Sequence, residues 1–122
     1  QILDELERRD IRLGVATSSQ RNWAEAVMAR LDIKGRFGAV ATVEMVEQAK
    51  PAPDLYLLAT EKLAVASQAC LAVEDTPRGI QSARSAGMTV IGLRAGSSAH
   101  LDHSGADHVI DSLESFDFSW LG

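Results

Sequence analysis

Short apolar runs alternate along this chain with stretches that carry a helical pattern, and this alternation constrains the fold more than any other feature. The apolar runs span residues 11–17, 39–43, 69–73, 89–93 and 108–110. Strands that alternate with helices predict βα units, which build a mainly parallel sheet. We therefore expect an α/β fold: a three-layer, Rossmann-like sheet with helices on both faces.

Within the helical stretches, the spacing of apolar residues predicts which face of each helix is buried. Trp23, Val27 and Leu31 recur every four residues within 20–31 and predict the inward face of that helix, with Ser19 as its cap. A second helix opens at residues 52–54. Its apolar stripe consists of Leu55, Leu58, Ala59 and Leu63. A third helix starts near Pro77 and closes at Gly87, and a last helical turn covers 112–116.

Composition excludes several classes of protein. The chain has 122 residues, of which 46% are hydrophobic, and this fits a single domain over 1–122. Its net charge of −5 and its lack of a basic run argue against nucleic-acid binding. No apolar stretch approaches the roughly 20 residues of a membrane span, so we expect a cytoplasmic protein with no membrane partner. Cys70, the single cysteine, is expected to be a buried strand residue.

A run of hydroxyl side chains follows the first predicted strand. Thr17, Ser18 and Ser19 offer hydroxyls and main-chain N–H groups at the start of a helix, where the unpaired amides and the helix dipole favour an anion such as phosphate. The alternative is that Ser19 merely caps the helix, since serine is a preferred cap residue. This run alone leaves both interpretations open.

Lys50 precedes the stiff segment Pro51-Ala52-Pro53-Asp54. Each proline fixes its own φ angle and restricts the residue before it, so the ammonium group is held in one direction. A fixed cation suits a phosphoryl oxygen. The alternative is a solvated lysine beside a helix start.

Glu74 and Asp75 end the strongly apolar third strand. Adjacent carboxylates repel each other unless a cation or hydrogen bonds compensate, and Mg²⁺, which takes oxygen ligands, is a natural compensator. The alternative is that Asp75 caps the next helix while Glu74 points to water. In open parallel sheets ligands sit at the carboxyl ends of the strands, so Thr17, Glu74 and Asp75 are expected at one edge.

Residues 99–108 contain three histidines and two aspartates. These residue types could bind zinc, but their spacing matches no structural zinc site and the segment is polar and contains a glycine. A surface loop is the favoured interpretation.

Together, these motifs resemble the haloacid dehalogenase superfamily, in the phosphatase and phosphomutase branch that includes phosphoglycolate phosphatase and β-phosphoglucomutase. The resemblance runs from about residue 11 to 112. Its most specific parts are Lys50-Pro51-Ala52-Pro53-Asp54 and the string 74–88, which begins Glu74-Asp75-Thr76-Pro77-Arg78-Gly79.

The resemblance implies a role for each motif. Thr17 matches the hydroxyl that binds the transferring phosphoryl group, with the Ser18 amide assisting. Lys50 matches the catalytic lysine that neutralises phosphate and nucleophile, and Asp75 with Glu74 matches the acids that hold Mg²⁺. In such enzymes an aspartate attacks phosphorus to give an aspartyl phosphate, and a second aspartate protonates the leaving oxygen. The implied substrate is a small phosphorylated metabolite.

The sequence departs from the family in one decisive way. The attacking aspartates belong to an Asp-x-Asp motif before an inserted cap domain, and the chain contains no Asp-x-Asp. Residues 2–9 resemble the helix that leads from the cap back to the core. The resemblance thus implies the carboxyl-terminal part of the core, without cap or first strand, and we expect this chain to be inactive alone.

The missing strand has a structural consequence. In the family it lies between the strands that end at Thr17 and at Asp75, so its absence exposes two strand edges. We expect these two strands to pair directly, to exchange elements with another copy, or to be completed by an amino-terminal portion. A well-ordered monomer that keeps an empty, water-filled slot between these strands would count against all three.

Two alternative functions stay open from the sequence. The chain could be a stand-alone, non-catalytic domain for oligomerisation or phosphometabolite binding, or it could be a phosphomutase fragment. Neither the substrate nor the choice between phosphatase and mutase can be read from these residues.

Overall fold

The computed structural model describes residues 2–31 and 33–121. Its α-helices are α1 (Ile2–Arg8), α2 (Arg21–Arg30), α3 (Asp54–Leu63) and α4 (Pro77–Ser85). Its strands are β1 (Gly14–Ala16), β2 (Ala39–Ala41), β3 (Leu71–Glu74), β4 (Thr89–Leu93) and β5 (His108–Ile110). Short 3₁₀ turns join several of these elements, including Val43–Met45, Gly96–Ser98 and Leu113–Ser115.

The strands form parallel pairs, as predicted, but they fall into two sheets. β1 pairs with β2, and β3, β4 and β5 form a second sheet in that order. The α/β fold with parallel strands is therefore confirmed. The first strand is shorter than the apolar run that predicts it, whereas β4 and β5 have the predicted bounds.

A groove separates the two sheets. Its volume is about 830 Å³, and Gly14–Ala16 of the first sheet and Leu71–Glu74 of the second line it. β1 and β3 do not pair with each other in the described part of the chain, so the expectation of direct pairing is wrong. Exchange with another copy and completion by an amino-terminal portion stay predictions, since they concern more than this one chain.

Both faces of the larger sheet are covered. Ala72 and Val90 pack against Tyr56 of α3 and against Ile80 and Ala83 of α4. On the opposite face, residues of β3, β4 and β5 pack against the chain ends. These residues are Leu71, Ile91, Leu93 and Ile110, with Ile2, Phe116, Phe118, Trp120 and Leu121. Side chains of a strand point alternately to its two faces, which explains this division.

Helix α3 connects the two sheets. Its Leu55 and Ala59 pack on Ala41 of β2, while its Tyr56 belongs to the core of the larger sheet. Leu55 and Ala59 are buried and Leu58 and Leu63 are half-buried, so the predicted apolar stripe of this helix is confirmed. α3 thus packs against both sheets and joins the two halves of the fold.

The predicted inward face of α2 is wrong. Trp23, Val27 and Leu31 are 64%, 38% and 62% exposed, whereas Ala24 and Met28 are buried. The stripe at 24 and 28 lies next to the stripe at 23, 27 and 31, and four-residue spacing alone does not decide which of two adjacent stripes faces the core.

Two smaller expectations also fail. Ser19 does not cap α2, because Gln20 is the residue before the helix and the Glu44 carboxylate accepts the hydrogen bond from the Arg21 N–H. Cys70 lies just before β3 rather than in it, and it is half-buried. Burial raises the pKa of the Cys70 thiol. Gly87 follows the end of α4 with a positive φ of 86°, which glycine adopts readily.

No helix in residues 2–31 or 33–121 combines the length and the apolar character that crossing a membrane requires.

Candidate functional site

The three predicted motifs meet at the carboxyl ends of β1 and β3. Ser18 Oγ lies 3.4 Å from the main-chain nitrogen of Lys50 and accepts its hydrogen bond. Lys50 Nζ lies 2.5 Å from Glu74 Oε2. These two contacts join the hydroxyl run, the lysine and the carboxylates into one continuous set.

Lys50 and Glu74 form a buried ion pair. Their side chains are 14% and 8% exposed. The alternatives of a solvated lysine and of a glutamate that points to water are therefore wrong. A charge removed from water needs a partner, and each of these two groups is the other's partner.

Tyr56 completes this pair, although the sequence analysis did not single it out. Its hydroxyl donates to the same Oε2 of Glu74, and its ring centroid lies 5.1 Å from Lys50 Nζ. Burial, the charge of Glu74 and the hydrogen bond to it raise the pKa of the Tyr56 hydroxyl well above its usual range. The sequence does carry one sign of this contact. Tyr56 is a ring with a hydroxyl group among the aliphatic residues in the first turn of α3, and a buried tyrosine hydroxyl usually has a hydrogen-bond partner.

Gly79 makes room for the Glu74 carboxylate. A Cβ atom at residue 79 would lie 1.9 Å from Glu74 Oε1 and 2.3 Å from its Cδ. No side chain fits there unless Glu74 moves. Because Gly79 has no side chain, the Glu74 carboxylate can pack directly against α4.

Thr76, rather than Asp75, caps α4. Thr76 Oγ1 accepts a hydrogen bond of 3.1 Å from the Gly79 N–H. The alternative that Asp75 caps the helix is wrong, and its exposed carboxylate is left for other contacts. Ser98 Oγ lies 3.2 Å from Asp75 Oδ2 and 3.0 Å from the Ala95 carbonyl oxygen, so its single proton can bind either acceptor.

His103 fixes the main chain of Asp75 and was also missed. It is buried, and its Nε2 lies 2.8 Å from the Asp75 carbonyl oxygen. A carbonyl oxygen only accepts, so Nε2 carries the proton. Its Nδ1 is buried and has no hydrogen-bond partner within the described residues. The prediction of a surface loop over 99–108 is thus wrong at His103, although His100 and His108 are exposed.

The hydroxyl of Thr17, rather than its amide, is the group that can donate a hydrogen bond to a ligand. The Thr17 N–H donates to the Ala41 carbonyl oxygen, and Thr17 Oγ1 accepts from the Ser19 N–H at 3.1 Å. The amides of residues 17 and 19 are therefore used within the protein. A hydroxyl that accepts one hydrogen bond keeps its own proton to donate.

The carboxylates fit Mg²⁺ in chemical kind. Glu74 Oε2 is engaged by Lys50 and Tyr56 and its Oε1 lies against Gly79, so the exposed carboxylate of Asp75 is the one open to a metal, with the charge of Glu74 beside it. Mg²⁺ is usually bound by one or two carboxylates with waters and substrate phosphates. Among the described residues there is no cluster of three or more His, Cys, Asp or Glu side chains that could hold a metal, so this chain alone offers a partial ligand set.

A sequence model of the haloacid dehalogenase-like hydrolases matches residues 1–93. The chain belongs to this family. Among its relatives, the fructose-1-phosphate phosphatase YqaB of Escherichia coli is 39% identical over 82 residues, which cover 67% of this chain and 44% of the relative.

Solved structures of this family share the fold. The CbbY protein of Rhodobacter sphaeroides, in complex with phosphate, is 33% identical with a TM-score of 0.83, and the match covers 90% of this chain and 50% of that one. A β-phosphoglucomutase of Clostridium difficile is 27% identical with a TM-score of 0.85, and the match covers 98% and 51% of the two chains. This chain spans about half the length of these family members.

Proposed function

We propose that this chain supplies the phosphate-binding and metal-binding residues of a magnesium-dependent phosphohydrolase that acts on a small phosphorylated metabolite. The observation that carries this proposal is the contact between Lys50 and Glu74, because it joins the cation suited to phosphate and the carboxylates suited to Mg²⁺ at one edge of the fold. The family membership supports the same chemistry.

The phosphoryl group is bound from the side of β1. The Thr17 hydroxyl donates to one phosphoryl oxygen, and the main-chain N–H of Ser18 donates to a second one. Lys50 approaches from the neighbouring loop and neutralises the negative charge that phosphoryl transfer must accommodate. The hydrogen bond between Ser18 and the Lys50 main chain keeps these groups in register.

The metal is held from the side of β3. Asp75 would hold it directly and Glu74 would support it with the neighbouring charge, while His103 and Ser98 hold Asp75 in place. When bound, Mg²⁺ neutralises charge on the phosphoryl oxygens. Lys50 stays beside Glu74, so the two adjacent carboxylates are not left to repel each other.

The nucleophile comes from outside the residues described above. We propose an aspartate whose carboxylate oxygen bonds to phosphorus while the leaving oxygen departs and takes a proton from a second acid. Water then hydrolyses the aspartyl phosphate. The groove between β1 and β3 is the proposed position for the strand that carries these acids, contributed by an amino-terminal portion. Another copy of this chain would complete the sheet without supplying the acids, since the chain contains no Asp-x-Asp.

The named activity of YqaB, a fructose-1-phosphate phosphatase, supports a sugar phosphate as substrate. We propose that the enzyme is cytoplasmic. The similarity to a β-phosphoglucomutase supports a second candidate, a phosphomutase that uses the same phosphate and metal residues. A non-catalytic, phosphometabolite-binding domain is the remaining candidate, and it predicts phosphate binding without turnover.

Two substitutions in the full-length natural protein test the proposal. Asp75→Asn removes a carboxylate charge, so both the affinity for Mg²⁺ and the activity should fall, whereas Thr17→Ala should mainly slow turnover. Magnesium titrations of activity on a generic sugar phosphate, with calorimetry of Mg²⁺ binding, measure both effects. Unchanged magnesium dependence in Asp75→Asn would remove the metal assignment.

A further inference from the structure

Tyr56 contacts both members of the buried ion pair. Its hydroxyl donates to Glu74 Oε2, the oxygen that also lies 2.5 Å from Lys50 Nζ, and the face of its ring lies beneath that ammonium group. The Tyr56 residue itself is buried, with 8% of its surface exposed. One side chain from α3 therefore touches the proposed phosphate-binding lysine and the proposed metal-binding carboxylate together.

We propose that Tyr56 is a positioning residue that keeps Lys50 available to a phosphoryl group. This proposal rests on the proposed function of Lys50 and adds the residue that controls it. Tyr56 itself does not bind substrate. It determines how strongly Glu74 holds the Lys50 ammonium group.

The two donors on Glu74 Oε2 explain this effect. A carboxylate oxygen that accepts from both a phenol and an ammonium group shares its charge between them. Without the phenol, the buried carboxylate has Lys50 as its remaining named donor at this oxygen, and the ion pair tightens because the charge is removed from water. A lysine held more tightly by Glu74 binds phosphate less well.

The carboxylate of Glu74 is packed against α4. Its Oε1 lies against Gly79, where even a Cβ atom would approach to 1.9 Å, so α4 limits the movement of the carboxylate on that side. The ring of Tyr56 limits Lys50 in the same way, because an aromatic face attracts a nearby cation and keeps it over the ring. Both charged groups are therefore confined around the Tyr56 hydroxyl.

The substitution Tyr56→Phe tests this proposal because it removes the hydroxyl and keeps the ring. The experiment measures the binding of inorganic phosphate to the full-length natural protein by calorimetry at saturating magnesium. We expect the dissociation constant for phosphate to rise about three- to tenfold, the size of effect that one ordinary hydrogen bond has. In a protein that already carries Glu74→Gln, the charge paired with Lys50 is absent. There Tyr56→Phe should change the dissociation constant for phosphate by less than about twofold.

Thr60→Val is the matched control. Thr60 is buried on α3, and its hydroxyl donates to the Leu57 carbonyl oxygen at 2.9 Å, away from the ion pair. This variant removes a buried hydroxyl from the same helix and should leave phosphate binding unchanged. Thermal unfolding of each variant confirms that the measurement is made on folded protein.

Lys50→Met separates failure of this proposal from failure of the proposed function. If Lys50→Met abolishes phosphate binding while Tyr56→Phe leaves it within twofold of wild type or tightens it, the positioning role is overturned and the function of Lys50 stands. If Lys50→Met leaves phosphate binding intact, both are overturned. An equal loss from Tyr56→Phe in the wild-type and Glu74→Gln backgrounds also overturns the positioning role, since the effect would not pass through Glu74.

Discussion

Ser82 Oγ donates a hydrogen bond of 2.6 Å to the main-chain oxygen of Ala52, in a contact where Ser82 is fully buried. Ser82 belongs to α4 and Ala52 lies two residues after Lys50, so this bond fastens the lysine loop to the helix that follows the carboxylates. Ser82 lies within the string 74–88 that begins with the carboxylates, so one buried hydrogen bond holds the two motifs together.

Replacing Ser82 with alanine should weaken this connection. The Ala52 carbonyl oxygen would lose its donor, so we expect the free energy of unfolding to fall by about 1–2 kcal/mol and the KM for substrate to rise. Urea denaturation and steady-state kinetics check the two effects. Ser85→Ala, on an exposed residue of the same helix, is the control and should change neither quantity.

Gly79→Ala should disrupt the site directly. The added methyl group would lie 1.9 Å from Glu74 Oε1, so the carboxylate must leave its place beside Lys50 and Tyr56. We expect activity to fall more than about tenfold, in line with the loss of a positioned charged group. Gly35→Ala is the matched control, since within the described residues no heavy atom beyond the glycine, its two chain neighbours and its own short helix lies within 4 Å of the new methyl group. Equal activity of the two variants would contradict the placement of Glu74.

The orientation of α2 can be tested by comparing two neighbouring stripes. Met28→Ala should lower the free energy of unfolding by about 2–4 kcal/mol, because it leaves a cavity at a buried residue. Trp23→Ala, at a residue that is 64% exposed, should change it by less than about 0.5 kcal/mol. Chemical denaturation of both variants measures the difference. If Trp23→Ala lowers the free energy of unfolding more than Met28→Ala does, the inward face predicted from the sequence would be favoured instead.

Tyr56 should remain protonated at high pH. Its pKa in the folded protein lies above the ordinary value of about 10, chiefly because it is buried and secondly because Glu74 is negatively charged. The unfolded chain therefore loses this proton first. The contribution of Tyr56 to stability is complete below about pH 10 and is lost as the pH rises further.

Tyrosinate absorbance checks this prediction. The difference between wild type and Tyr56→Phe isolates Tyr56, which is the single tyrosine of this chain. In denaturant the difference should show a titration near pH 10, whereas the folded protein should show none until it unfolds. A titration of the folded protein at the ordinary value would mean that the hydroxyl reaches solvent.

Patterns with a short repeat predicted most of the fold. The apolar stripe of α3 follows from spacing, because burial of one face imposes that spacing on the sequence, whereas the bounds of β4 and β5 follow from short apolar runs. The face of α2 did not follow, since two adjacent stripes of that helix both contain apolar residues. Which of them is buried depends on packing partners that are distant in sequence.

The motifs of the candidate site were predictable, but their contacts were not. Thr17, Lys50 and Asp75 stand out because polar residues follow apolar strands or precede prolines. The ion pair between Lys50 and Glu74 joins residues that are 24 positions apart, and Tyr56 and His103 reach the site from a helix and a loop whose spacing gives no sign of it. Such contacts depend on tertiary structure alone.

The candidate site takes its groups from both sheets. Thr17 follows a strand of one sheet, whereas Glu74 and Asp75 follow a strand of the other, and within the described residues β1 and β3 form no hydrogen-bonded pair. The span from hydroxyl to carboxylates is therefore set by α3, which packs on both sheets, and by the contacts of Lys50 with Ser18 and Glu74. A single residue, Lys50, thus bridges the gap that the strands leave open.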